Sequence, residues 1–433
     1  MDFLMYPLPE KLEEEKARGN FDNAKNIIKY YLSLDLPEKL KKRLEYEMEI
    51  LELIQKDYGI SERKAINIAI KKIKNFSKEE FFIYKQNGMI DYKVINGKVK
   101  YFNRFFQNLM FLDKNIKERA LEKDKKSEEV NQLIMETIRR ISSGITKRYG
   151  VIAGIRMTMK KEGKYDVWLP FPVENGQSRN VKLLKVSHQN YYISENMDHR
   201  TINIKGEGKI FYVEFYYEIN EIYNSGNDFP KKENYLSEKL PHVQFSPFIK
   251  DLAKSIVGDE KDPVEMSKKI YNWIISHVRY TYVPEYILFQ NISQYTATSL
   301  RGDCGMQALL FITLCRSLGI PAKWQSGWFV TPIQVSPHDW AQVYFEGKGW
   351  IPVDPSFGNE LKNKNRGSFY FGSLDAFRMI ANEDFQAEFI PKKKYIRSDP
   401  VDNQRGEVDS EEGNIYFDKR RQQIYVKKFM ELQ

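Results

Sequence analysis

Through the first third of the chain, apolar positions recur at helical spacing. From Asp22 to Leu34, Ala24, Ile27, Ile28, Tyr31 and Leu32 form one stripe, and a second helix opening at Pro37 repeats the pattern with Leu40, Leu44, Met48 and Leu51. Ser61 opens an Ile- and Ala-rich helix. Ser77-Lys78-Glu79-Glu80 fits a capping box, in which the serine and Glu80 satisfy each other's free backbone donors. Asn96-Gly97 predicts a tight turn between brief strands, and Phe102, Phe105, Phe106, Leu109 and Leu112 resume the helical stripe. The charged run from Glu122 to Glu129 reads as a solvated connection. Gly19-Asn20-Phe21 with Ala24 suits a tetratricopeptide helix, yet no period of about 34 residues follows.

From about Gly150 to Glu221 the period becomes two. Phe211, Val213, Phe215, Tyr217 and Ile219 alternate with Tyr212, Glu214, Tyr216 and Glu218, and shorter strands are expected at 165–169, 181–186 and 201–204. Strands at this spacing, separated by Gly, Asn and Pro, predict a small β-sandwich. His188 and His199 stand alone in it. The stretch from Asn224 to Pro241, rich in Asn, Gly, Pro and Lys, marks a boundary. The pattern therefore predicts an α+β chain of three consecutive parts: a helical domain over 1–145, a sandwich-like domain over 146–230, and a core with a C-terminal extension over 231–433.

Chemistry concentrates in the third part. A helix over about Pro263 to His277 presents Met266, Ile270, Trp273, Ile274 and His277, the last read as a helix-end core histidine. After a loop rich in Tyr and Gln comes Gly302-Asp303-Cys304, with Asp303 suited to cap a helix whose residues 304–318 are apolar on nearly every side and hence buried. Cys304 then occupies the first turn, where free N–H groups and the dipole favour a thiolate. Cys315 lies about 16 Å further along the axis at about 1.5 Å per residue, beyond the reach of a disulfide, and reads as a buried apolar residue. Gly319 and Pro321 end the helix. A strand over 323–330 follows, then a hairpin in which His338 begins one strand and Asp354 ends the other. The Gly347-Lys348 turn would pair His338 with a residue about three beyond Asp354, so their meeting needs a bulge or a diagonal contact.

A cysteine at a helix start, an imidazole on a strand and a carboxylate beyond it are the nucleophile, base and orienter of covalent acyl transfer. The backbone N–H of Cys304 can supply one oxyanion donor, and Gln294 is the candidate for a second. Trp324, Trp328, Trp340 and Trp350 fall within 27 residues; strand packing accounts for them, and Trp340 is also placed to shield the His338 face.

Composition narrows the classes. Of the chain's 433 residues 42% are hydrophobic and 14% aromatic, with 27 Tyr and 27 Phe, which excludes disorder as an overall description. Two cysteines against five histidines leave no disulfide framework and no Cys-rich metal cluster. Of the net charge of +9, residues 1–150 hold +7, but lysines alternate there with glutamates, as on a solvated face rather than a nucleic-acid surface. That surface suits at most a protein partner. The first residues, Met1-Asp2-Phe3-Leu4-Met5-Tyr6-Pro7, lack a basic region and an apolar stretch, and no membrane span is expected. Location defaults to the cytoplasm unless a leader has been removed. The acidic stretch Glu407, Asp409, Glu411 and Glu412 reads as a solvated loop rather than a cation site.

Gly302-Asp303-Cys304, Arg316-Ser317-Leu318-Gly319-Ile320-Pro321-Ala322, His338-Asp339-Trp340 and Gly349-Trp350-Ile351-Pro352-Val353-Asp354-Pro355 together resemble the transglutaminase-like core of the papain-like superfamily, with the spacings of 34 and 16 residues found in bacterial members. The resemblance is sharp over 260–360. It implies a central helix packed on an antiparallel sheet and a thioester mechanism on a peptide or carboxamide, carried by Cys304, His338 and Asp354 without a cofactor. Water as acceptor gives a peptidase or amidase; a lysine amine gives a cross-linking acyltransferase. Hydrolysis is the expectation. A non-catalytic scaffold with a partner-binding helical domain is the remaining alternative, against which the intact Cys304, His338 and Asp354 speak.

Overall fold

The computed structural model describes residues 2–121, 125–196, 198–226, 233–361 and 367–433. The chain divides into two compact units that interleave in sequence, instead of three consecutive domains. One holds residues 1–123, 239–242 and 279–303; the other holds 124–238, 243–278 and 304–433.

The first unit follows its apolar stripes. Helices Phe21–Leu32, Glu38–Asp57, Glu62–Lys72 and Phe105–Leu112 bury Ala24, Ile28, Leu44, Leu51, Ala65, Ala69 and Leu109 in one core. Tyr92–Ile95 and Lys98–Tyr101 form the expected hairpin about Asn96 and Gly97, both at positive φ, as such a turn demands. Half of the capping box forms. Ser77 Oγ accepts the Glu80 N–H at 3.1 Å, whereas the Glu80 carboxylate is bound by both terminal nitrogens of Arg119. Residues 279–303 belong here through the helix Ile292–Ser299 and the pairing of Arg279 with Arg301 and Tyr280 with Gly302.

The second unit contains two antiparallel sheets. In the larger, Arg148–Pro170 pairs with Thr201–Asn220 over most of their lengths; Ser178–Val186 and Tyr191–Ile193 extend it on one side, Glu407–Ser410 and Arg420–Leu432 on the other. The sequence splits 201–204 from 209–219, but one strand runs through both. The four-stranded sheet has the order 349–353, 335–345, 322–330, 378–382. Residues of both sheets share a core, with Phe215 stacked on Trp328 at 5.6 Å. The two-layer packing expected within 146–230 thus draws its second layer from the core sheet, and two strands of its first from beyond residue 400. This is why every residue of Ala322–Val330 is buried, and why alternation is lost there.

Three expectations change. Lys125–Ser142 is a helix of the second unit, so from Lys125 onward the run 122–129 is helix rather than connection, with 126–129 exposed as expected; 122–124 lie outside the described residues, as do 227–232 of the expected linker. The helix buries Val130, Ile134, Ile138 and Ile141 in a core with Phe329 and Trp340. His277 is exposed, stacked on Trp273 at 4.9 Å, because the helix end turns it outward. Glu407 and Asp409 are buried strand residues, not a solvated loop: Arg397 Nε donates to Glu407 Oε1 at 2.9 Å, and Lys393 pairs with Asp409.

Candidate active site

Cys304 opens the helix Cys304–Ser317, in which every residue through Arg316 is buried. The helix ends as its sequence dictates, with Gly319 at φ 78° and the Ile320 N–H returning to the Cys315 carbonyl at 3.0 Å. Cys315 is fully buried, and burial pushes its thiol far up. Cys304 keeps 8% exposure at the head of the helix.

His338 lies on the strand Val335–Phe345, opposite Gly327 of Ala322–Val330. The pairing of 335–345 with 349–353 is regular from Ala341–Val353 to Phe345–Gly349. Asp354 follows directly and reaches His338 diagonally, the second of the two expected arrangements: His338 Nε2 is 2.7 Å from Asp354 Oδ2. A carboxylate on Nε2 fixes the proton there and leaves Nδ1 as the basic nitrogen. Trp340 stacks on the His338 ring at 5.7 Å, and Phe357 meets it edge-on at 4.7 Å. The Trp340 indole donates to Gln325 Oε1 at 2.8 Å, which locks this wall.

Burial pushes His338 down in pKa, against the opposing pull of Asp354, so the imidazole rests neutral. Burial alone would push the Asp354 carboxyl up. His338, Arg378 and the Phe357 N–H together outweigh it and hold Asp354 below the usual carboxylate range. Its Oδ1 accepts from Ser356 Oγ at 3.0 Å and from the Phe357 N–H at 3.1 Å; its Oδ2 accepts from Arg378 Nη2 at 2.9 Å as well as from His338.

Sequence reasoning missed Arg378. It is fully buried, bonds Asp375 as well as Asp354, and is ringed by Phe329, Trp340, Phe357 and Tyr370. Gly327 admits its strand, since a Cβ there would overlap the Met379 carbonyl oxygen. The sequence pattern placed this residue no more closely than in a core with a C-terminal extension over 231–433.

Asp339 was also missed. The Cys304 thiol donates its hydrogen bond to Asp339 Oδ2 at 3.3 Å, one residue beyond the expected base on the same strand. Of the groups expected at the site, His338, Asp354 and Trp340 are in direct contact, and Cys304 bonds the residue next to His338. Gln294 belongs to the first unit, where its N–H donates to Asn291 Oδ1 and its carbonyl accepts from Thr298. Asp303 accepts from the Tyr286 hydroxyl at 2.6 Å. Among the described residues no group of three or more His, Cys, Asp or Glu is placed to hold a metal, and no helix is long and apolar enough to cross a membrane.

A cysteine at a helix start, with a strand-borne histidine in contact with an aspartate just past the neighbouring strand, suits a protein of the cysteine-hydrolase or transglutaminase-like kind. Residues 250–355 match the transglutaminase-like superfamily, to which this segment of the chain belongs. An uncharacterized protein of Haemophilus influenzae is 22% identical over 237 residues, 45% of this chain and 64% of its own length. The uncharacterized protein YebA of Bacillus subtilis is 22% identical over 129 residues, 25% of this chain and 17% of its own. The chain thus spans less than two-thirds of the length of either curated relative. Among solved structures, a Cytophaga hutchinsonii protein provisionally assigned as a cysteine protease matches 67% of this chain and 92% of its own, with TM-score 0.43 and 14% identity. The periplasmic domain of TgpA from Pseudomonas aeruginosa matches 49% and 90%, with TM-score 0.29 and 12% identity.

Proposed function

We propose that the protein is a cysteine-dependent hydrolase, a peptidase or amidase, that works through a thioester on Cys304. The observation that carries this reading is the 2.7 Å contact of His338 Nε2 with Asp354, on a strand whose next residue, Asp339, receives the thiol of the helix-start Cys304. His338 Nδ1 takes the thiol proton as sulfur attacks the carboxamide carbon. The same proton then passes to the leaving amine or ammonia as the C–N bond breaks. Water, deprotonated by His338, attacks the thioester; the carboxylic acid leaves and the thiol is restored. Asp354 holds the ring tautomer and offsets the imidazolium, and the Cys304 N–H stabilises the oxyanion. Trp340 and Phe357 keep water from the imidazole faces.

The test is incubation with glutamine-containing peptides, with and without a primary amine, followed by mass spectrometry. Cleavage or deamidation that disappears in Cys304→Ala supports hydrolysis. Amine adducts in place of hydrolysis would make the protein an acyltransferase, and products that persist in Cys304→Ala would overturn the mechanism.

A further inference from the structure

Asp339 sits where a nucleophilic thiol is ordinarily kept clear of negative charge. Its side chain is buried, Oδ2 accepts from Cys304 Sγ at 3.3 Å, and Oδ1 accepts from Gln404 Nε2. The same Gln404 nitrogen donates to the His338 carbonyl at 2.9 Å, and the Gln404 carbonyl accepts from the Trp328 indole at 2.8 Å. Gln404 is thereby clamped and fixes Asp339 in turn. From the same segment, Asp402 hydrogen-bonds Asp339 and also pairs with Ser326, the residue opposite Asp339 in the ladder.

The charged groups facing this carboxylate come from three elements: Cys304 at the helix start, His338 beside it on the strand, and Asp402 from the C-terminal segment, backed by Asp399, Arg397 and Arg405. Burial pushes the Asp402 carboxyl up, and burial together with the Asp402 charge pushes Asp399 up to about 8. Asp339 accepts from the Cys304 sulfur on Oδ2 and from the Gln404 amide on Oδ1.

We infer that Asp339, oriented by Gln404 and Asp402, is a positioning residue that holds the Cys304 thiol protonated until substrate displaces it. Two physical arguments support this. A carboxylate beside sulfur repels the thiolate and so opposes loss of the proton. Gln404 Nε2 bonds both Asp339 Oδ1 and the His338 carbonyl, so the acceptor of the thiol is held fixed next to the base and cannot swing away with the sulfur. The inference rests on Cys304 being the nucleophile, and it makes the resting enzyme less reactive than a bare helix-start cysteine would be.

The experiment follows iodoacetamide alkylation of Cys304 against pH in the full chain, read by peptide mass spectrometry. Asp339→Asn keeps the shape and removes the charge; its alkylation midpoint should fall by about one pH unit and its rate at pH 7 rise about tenfold. Gln404→Leu, which leaves the carboxylate but frees it, should move the midpoint in the same direction by less, and serves alone if Asp339→Asn does not fold. An unchanged or raised midpoint in the folded variants would overturn the proposal. Alkylation needs no turnover, so a lowered midpoint in a protein that cleaves no peptide would uphold Asp339 and sink the hydrolase reading. Peptide cleavage with an unmoved midpoint would do the reverse.

Discussion

Arg378 Nη2 lies 2.9 Å from Asp354 Oδ2, the oxygen that also receives His338 Nε2 at 2.7 Å. A fully buried guanidinium thus shares the carboxylate that orients the base, and its other arm is held by Asp375 at 3.0 Å. Asp354 is thus bonded on one oxygen by both the Arg378 cation and the His338 imidazole.

Removing the cation should therefore be expensive. Arg378→Met leaves Asp354 and Asp375 without their buried partner, and stability should fall by about 3–5 kcal/mol. Urea denaturation followed by tryptophan fluorescence measures it. A loss under about 1 kcal/mol would mean that the cost of desolvating the ions already cancels their attraction.

Asp354→Asn should remove activity and also lower stability, because it leaves the buried Arg378 with Asp375 as its remaining carboxylate. The amide still accepts from Ser356 and Phe357 but can no longer fix the proton on Nε2, and kcat should drop by roughly four orders of magnitude. Kinetics on whichever peptide proves to be cleaved, together with a circular dichroism melt, separate the two effects. Retained activity would place the orienting group elsewhere.

Acid should destabilise the first unit through His242. Its Nδ1 accepts from the Ile292 N–H at 3.4 Å, and burial pushes its pKa down to about 3. Unfolded histidine titrates near 6.5. Between those values the unfolded chain binds more protons than the folded one, so stability rises with pH, and it declines as pH falls from about 6.5 toward 3. The decline from His242 amounts to roughly 4 kcal/mol. His338, also pushed down by burial, adds to it with the same sign in the second unit. Urea midpoints taken in pH steps should fall steeply in the wild type and less so in His242→Leu. An equal slope in that variant would assign the acid sensitivity to other groups.

The two thiols should separate cleanly under alkylation. Cys315 is fully buried, its thiol pushed up by burial and bonded to Ser267 Oγ at 3.9 Å. In native buffer iodoacetamide should modify Cys304 alone; in guanidinium both should react at similar rates. Equal native rates would contradict the buried setting of Cys315.

The placing of Cys304 at a helix start, His338 on a strand and Asp354 just past its neighbour was legible because helix caps, hairpin turns and strand ends are written within a few residues of them. The superfamily pattern is local for the same reason. Arg378, Asp339 and Gln404 were not, since their roles arise from a strand that pairs across Gly327 and a segment that packs on the ladder, and neither leaves a periodic trace. Val130, Ile134, Ile138 and Ile141 were hidden behind a charged start at Lys125, although their spacing is helical. Glu407 and Asp409 looked solvated only because Arg397 and Lys393 are recognisable as partners in three dimensions and not along the chain. The alternation at 211–219 predicted a strand correctly, but not that 420–432 would join the same sheet.

That last pairing has a temporal side. The strand Arg148–Pro170 receives Arg420–Leu432 along one edge, and Gln404 reaches Asp339 from the same late part of the chain. On the ribosome, Cys304, His338 and Asp354 emerge well before either arrives. A nascent chain therefore carries an open sheet edge and an unrestrained thiol at once. Synthesis order makes the reactive group older than its restraint, and the interval between them is when this protein is most exposed to mispairing and to stray electrophiles.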